Sequence, residues 1–105
     1  MSEPILVLVT CGSEGEALTI SKALVEEHLA ACVNILPSIR SLYRWEGKMW
    51  DEREWLLFIK TRREKFEEVE QKVKSLHAYT VPEIIGLPII EGSSSYLKWL
   101  SEMTT

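Results

Sequence analysis

The residues of this chain whose chemistry goes beyond packing are few: two cysteines, two histidines, a lysine that ends a strand, and a tyrosine–glutamate loop. Cys11 and Cys32 stand alone, without a CxxC spacing, which excludes a disulfide framework and a zinc ribbon or finger. Both have apolar neighbours and read as small buried hydrophobes. His77 follows the helical stripe Phe66, Val69, Val73 and Leu76. At that helix C-terminus the dipole favours an imidazolium; the other reading is a metal ligand or general acid–base group beside a cleft. His28 closes the stripe of the first helix and takes the same dipole reading. Neither histidine sits in an HExxH-type pattern, so spacing alone predicts no metal site. A soft Cys–His pair suits copper or zinc, but it needs a further ligand from a carboxylate, water or a neighbouring subunit. Lys60 ends the apolar run Trp55–Ile59 and either snorkels at a sheet edge or meets Glu83 or an anionic ligand. Tyr79 and Glu83 bracket a Tyr-x-x-Pro-Glu loop. They either pin that loop by hydrogen bonds or line an inter-subunit cleft with Trp45 and Lys60. No nucleophile–base pair, glycine-rich phosphate loop or paired-acid motif is present, which argues against an enzyme.

The positions of these groups depend on the elements that carry them. Ile5–Cys11 is an unbroken apolar, β-branched run, as expected of a central strand covered on both faces. Ser13-Glu14-Gly15-Glu16 fits a capping box opening a helix from about Glu14 to Leu29. Ala31–Trp45 changes to a period of two, with Val33, Ile35, Pro37, Ile39, Tyr43 and Trp45 on one parity. Pro37 marks a bulge or an amide position facing away from a partner strand. A turn at Glu46–Met49 leads to a strand over Trp50–Thr61. Thr61-Arg62-Arg63-Glu64 fits a second capping box, for the Phe66–Leu76 helix. Glu83–Ile90 reads as a strand, with Pro88 placing it at an edge or bulge. Tyr96, Leu100 and Met103 mark a short terminal helix. The order β-α-β-β-α-β-α predicts an α+β, ferredoxin-like sheet with a long central hairpin, as one domain over residues 1–105.

The chain has 105 residues, 46% of them hydrophobic and 27% charged, a globular balance. Its net charge of −4 has the wrong sign for a dedicated nucleic-acid binder. No apolar run approaches the ~20 residues that span a bilayer. The first apolar stretch is short and follows Ser2-Glu3-Pro4, so a cytoplasmic location is expected, with no membrane partner. Geometry adds an oligomer. At ~3.3 Å per residue, a strand over Val33–Trp45 runs roughly 43 Å, whereas a domain of this size has a radius of gyration near ~13 Å and a diameter near ~34 Å. The hairpin must overshoot its own globule. Its far end holds Tyr43, Trp45 and Trp50, with Trp55 slightly back, and these four are expected to be buried against neighbouring copies.

Several segments resemble a known family: Leu29-Ala30-Ala31-Cys32-Val33-Asn34, Tyr43-Arg44-Trp45-Glu46-Gly47-Lys48, Ile59-Lys60-Thr61, the run from Leu76 to Ile85, and Tyr96-Leu97-Lys98-Trp99-Leu100. In this order and spacing they are similar to the CutA family of divalent-cation tolerance proteins, across essentially the whole chain. The resemblance implies a ferredoxin-like fold assembled as a homotrimer whose hairpins pair across subunits. It also implies a role in the response to metal ions and binding of copper or another divalent metal. The family's copper site uses a cysteine near the end of the first strand and histidine just before the Tyr-x-x-Pro-Glu stretch. His77 matches one such histidine; Leu76 stands where a paired histidine would be, and Ala78 replaces the usual proline. The cysteine position falls on Val9, and Cys11, two residues later on the same strand face, is the available substitute. By fold analogy alone, a second reading is a PII-like trimer that senses small molecules in inter-subunit clefts.

Overall fold

The computed structural model describes residues 3–105. Its elements are β1 (Pro4–Cys11), α1 (Glu14–Glu26), β2 (Cys32–Trp45), β3 (Lys48–Arg62), a 3-10 turn (Arg63–Lys65), α2 (Phe66–Leu76), β4 (Ile84–Pro88) and α3 (Ser94–Met103). The strands form one sheet in the order β2-β3-β1-β4, every neighbouring pair antiparallel. This is the α+β arrangement expected from the element order.

Alternation along β1 sets the core. Ile5, Val7, Val9 and Cys11 point to one face, where they pack with Leu57 and Ile59 of β3, Ala17, Ile20 and Leu24 of α1, and Val69 and Val73 of α2. Leu6 and Leu8 point to the other face and are only half-buried. There α3 packs against β1 and β3, burying Leu100, and Arg62 of β3 donates from Nε to Thr104 Oγ1 at 2.8 Å. Among the described residues, no helix is long and apolar enough to cross a membrane.

Local details depart from the expected pattern in four places. First, α1 ends at Glu26 rather than Leu29, because His28 adopts a left-handed φ of 61° and the amides of Leu29 and Ala30 bond back to Leu24 O. His28 faces the C-terminus, with Nδ1 3.3 Å from Met103 O. Second, the Thr61 capping box does not form. Thr61 still belongs to β3, opposite Ile5 on the core face, and its buried hydroxyl donates to Leu29 O at 2.7 Å. The chain enters α2 through the 3-10 turn, with no side-chain cap.

Third, β2 does not keep one parity. Leu36 pairs with Leu56 and Ile39 with Glu54, so Pro37 and Ser38 together face the single residue Trp55. This is a β-bulge, with Ser38 at φ 56°. It inverts the strand: Val33 and Ile35 face the helices, while Ile39, Ser41, Tyr43 and Trp45 face the opposite side with Leu36. Fourth, Trp55 leaves the tip cluster. It pairs with Cys11 and packs against the core, on the face opposite Trp50, because five positions along a regular strand reverse the side.

The hairpin is as long as expected, and the molecule measures 44 × 25 × 22 Å. Pairing of β1 with β3 stops at Cys11–Trp55, so Ile39–Trp45 and Lys48–Glu54 continue as a two-stranded arm. A two-residue turn closes it, with Glu46 and Gly47 both left-handed at φ 51° and 73°, as a type I′ hairpin requires.

Candidate functional site

Three elements converge where β1 ends, α1 begins and α2 ends. His77 is the first residue after α2 and leaves it in an extended conformation. That turn carries its imidazole inward, with no side-chain exposure. Nε2 lies 2.7 Å from Thr10 O and donates to it, since a carbonyl oxygen only accepts. Nδ1 accepts the Tyr79 amide at 3.1 Å. The ring is thereby held as one neutral tautomer. Cys11, the residue after Thr10, is fully buried. Burial first, then the charges of Glu16 and Glu54, push its thiol from 9.0 up to about 12, so it is protonated at neutral pH.

Glu16 completes the cluster. Ser13 Oγ caps α1 by accepting the Glu16 amide at 3.2 Å, which is half of the expected capping box. The other half is redirected. Glu16 Oε2 accepts the Ala78 amide at 2.7 Å, and Oε1 accepts the Gly12 amide at 3.4 Å and lies 3.8 Å from His77 Nδ1. The carboxylate ties the β1–α1 loop to the α2–β4 loop. The ligand atoms of Cys11, Glu16 and His77 all lie within 4.8 Å of one another. Sulfur, nitrogen and oxygen donors at this spacing fit a borderline divalent ion such as zinc or copper better than a hard ion. Binding would need the Cys11 proton to leave and Nδ1 to give up the Tyr79 amide, and a coordinated ion itself favours the thiolate. Sequence reasoning does not single out Glu16. Its signal is there, as a helix-opening carboxylate close after the cysteine, but the capping-box role accounts for it.

A second constellation lies beside the first. Trp45, Tyr79 and Glu83 line one open cavity of about 800 Å³ between the arm and the loop after α2, together with Tyr43, Trp50 and Glu54. Tyr79 joins the two sites: its ring centroid is 4.7 Å from that of His77, and its hydroxyl donates to Glu54 Oε2 at 2.8 Å. Burial, and then the Glu54 carboxylate, hold the Tyr79 phenol well above its ordinary range. Glu83 is also raised, by burial and then by Glu54.

Lys60 is not brought to this cavity within the protomer. It lies near the other end of β3, opposite Cys32, and its ammonium hydrogen-bonds Asn34 Oδ1 rather than meeting Glu83. Register decides this, because the cavity is lined by the arm end of β3. Of the expected interface aromatics, Tyr43 and Trp50 pair directly across the arm. Trp45 is 41% exposed beside the turn, and its carbonyl accepts from Trp50 Nε1 at 3.2 Å.

Comparison with known proteins places the chain in a family. The family model described as "CutA1 divalent ion tolerance protein" matches residues 5–103. The "Divalent-cation tolerance protein CutA" of Thermus thermophilus is 54% identical over 99 residues, spanning 94% of this chain and 96% of that one. A solved structure of the Thermus thermophilus protein superposes with a TM-score of 0.94, covering 97% of this chain and 99% of that one at 53% identity. The "Protein CutA, chloroplastic" of Arabidopsis thaliana is 46% identical over 100 residues, which are 95% of this chain but only 55% of the plant protein. With the family match running nearly end to end, the chain belongs to the CutA1 divalent ion tolerance family.

Proposed function

We propose that the chain binds copper or another divalent cation through Cys11, Glu16 and His77, as part of the response to metal ions. The observation that carries this reading is the convergence of three different ligand types, from β1, α1 and the end of α2, within 4.8 Å. The fourth position is left for water or a ligand from outside the protomer. The reading is of a binding protein rather than an enzyme. A thiol held protonated beside an imidazole whose two nitrogens are both engaged supports it, because a Cys–His nucleophile requires a thiolate. The same reading assigns the protein to the cytoplasm, and its two free thiols suit a reducing compartment.

The functional unit in this proposal is a homotrimer. Support comes from the arm, which extends past its own sheet with Leu42 61% and Met49 66% exposed, and from the unpaired outer edges of β2 and β4.

Titration calorimetry of the reduced protein with copper(I), copper(II) and zinc tests the metal site. Cys11→Ser and His77→Ala are each expected to weaken binding at least tenfold. If both leave the isotherm unchanged, the site is wrong. Cobalt(II) provides a second readout, since a thiolate–cobalt charge-transfer band is expected in the native protein and absent in Cys11→Ser.

A further inference from the structure

The two sides of the arm differ in chemistry. Tyr43, Trp45, Trp50, Glu52 and Glu54 occupy the side away from the helices. Beyond the bulge, Arg40, Leu42 and Arg44 of β2 share the helix side with their β3 partners Arg53, Asp51 and Met49. Three arginines against one aspartate make that side basic. Arg40 is committed to Asp51, with Nε and Nη2 at 2.9 and 2.7 Å from the two carboxylate oxygens. Arg53 donates to the Ser38 carbonyl at 3.2 Å, and neither it nor Arg44 makes an ion pair among the described residues. Leu42 and Met49 are exposed beside them. This side is therefore apolar with a surplus of positive charge.

A complementary surface lies at the opposite edge of the sheet. Gly86 of β4 pairs with Val7 and so faces the helix side, where it contributes no side chain beside the Phe66 ring. An open groove of about 690 Å³ follows between β4 and the first turn of α2, with Ile5, Phe66 and Pro88 as apolar wall and Glu64, Glu67 and Glu68 as its acids. Arg63 also lines it, but is paired with Glu3 at 3.1 Å. Glu67 makes no ion pair among the described residues, and Glu68 meets Lys65 only at 3.9 Å. The groove is apolar with a surplus of negative charge, the complement of the arm.

Strand direction decides whether the two can meet. The order β2-β3-β1-β4, antiparallel at every step, leaves the outer edges of β2 and β4 free and makes these two strands run in opposite directions. An arm added antiparallel to β4 of another copy therefore keeps the orientation it has in its own sheet, and its helix side falls on the neighbour's helix side, where the groove opens. Each copy offers one edge of each kind, so the contact is head-to-tail and can close into a ring. We propose that the arm of one copy lies antiparallel along the free edge of β4 in the next, with Leu42 set in the groove beside Phe66 and Arg44 against Glu67 and Glu68. Met49 and Arg53 follow one strand behind. The proposal rests on the homotrimer reading and adds which surfaces meet.

Cross-linking and charge exchange on the full chain test it, with native mass spectrometry reporting the number of chains in each sample. Arg44→Cys with Glu67→Cys, in a Cys32→Ser background that leaves buried Cys11 as the other thiol, is oxidised with diamide without denaturant. Disulfide-linked dimers and trimers are expected on a denaturing gel. None is expected from either single variant, or from Arg44→Cys with Lys74→Cys, which lies toward the far end of α2. In parallel, Arg44→Glu is expected to lower the urea concentration at which trimers dissociate at low salt, and Arg44→Glu with Glu67→Arg to recover most of that loss. Trimers that neither link nor recover overturn the docking and leave the homotrimer standing. A single chain from the unmodified protein overturns both. The charge exchange needs no oxidation and decides the matter if the cysteine variants fold poorly.

Discussion

Cys11 holds its proton because its thiol is buried beside two carboxylates, and this has a measurable cost in alkali. In the unfolded chain the thiol titrates near its ordinary 9.0; in the folded chain it titrates at about 12. Between those values the folded state keeps a proton that the unfolded state has lost, so stability falls as pH rises through this window. Cys11→Ser is expected to remove that part of the alkaline decline, read as a flatter urea midpoint between pH 9 and 11. For the same reason, native Cys11 should resist alkylation at pH 8 while half-buried Cys32 reacts first, as peptide mapping would show. At this scale the sequence was partly legible. Cys11 and His77 were visible as the only soft ligands that the strand end and the helix end bring near each other. Glu16 was hidden by a local motif that it only half fulfils. Lys60 stayed open between snorkelling and a meeting with Glu83 or an anion, because its companion depends on register, which brings it to Asn34.

At the scale of elements, the bulge at Pro37–Ser38 decides which way the arm faces. Were Pro37 and Ser38 each to take a partner of its own, every later residue of β2 would slip by one and Tyr43 and Trp45 would turn toward the helix side, away from Tyr79 and Glu83. Deletion of Ser38 removes the extra residue and leaves Ile39 opposite Glu54, so the arm is expected to keep its facing and its tryptophan emission; a red shift would show that the register had slipped instead. Ser38→Gly, which relieves a left-handed φ of 56°, should raise stability by a few tenths of a kcal/mol to ~1 kcal/mol in urea denaturation. Thr61→Val leaves the Leu29 carbonyl without its hydroxyl donor and should cost about 1–3 kcal/mol by the same measurement. Element order was readable because the periods change sharply, from two in the strands to 3.6 in α2. The failures were of phase rather than type. Pro37 located the irregularity but not the inserted residue, and the Thr61 box carried the right letters in a position where β3 had not yet ended.

For the whole molecule, length is the informative quantity. A 44 Å long axis against widths of 25 and 22 Å belongs to a shape with one part outside its own fold. Native mass spectrometry at micromolar concentration is expected to report three chains. Met49→Glu with Leu42→Glu, both at the exposed arm, should reduce that to one chain with an unchanged far-UV spectrum; trimers from the double variant would place the contact elsewhere. The overshoot was legible by multiplication alone, whereas the contents of the cavity were not, because they depend on which face the bulge selects. One residue gives the two neighbouring regions a common grip. The Tyr79 amide rests on the imidazole and its hydroxyl on Glu54, so an ion that draws Nδ1 away loosens the same tyrosine that screens the buried acid. Any coupling between the two chambers then runs with equal strength in both directions: whatever an ion at the imidazole does to a ligand held in the cavity, that ligand must do to the ion.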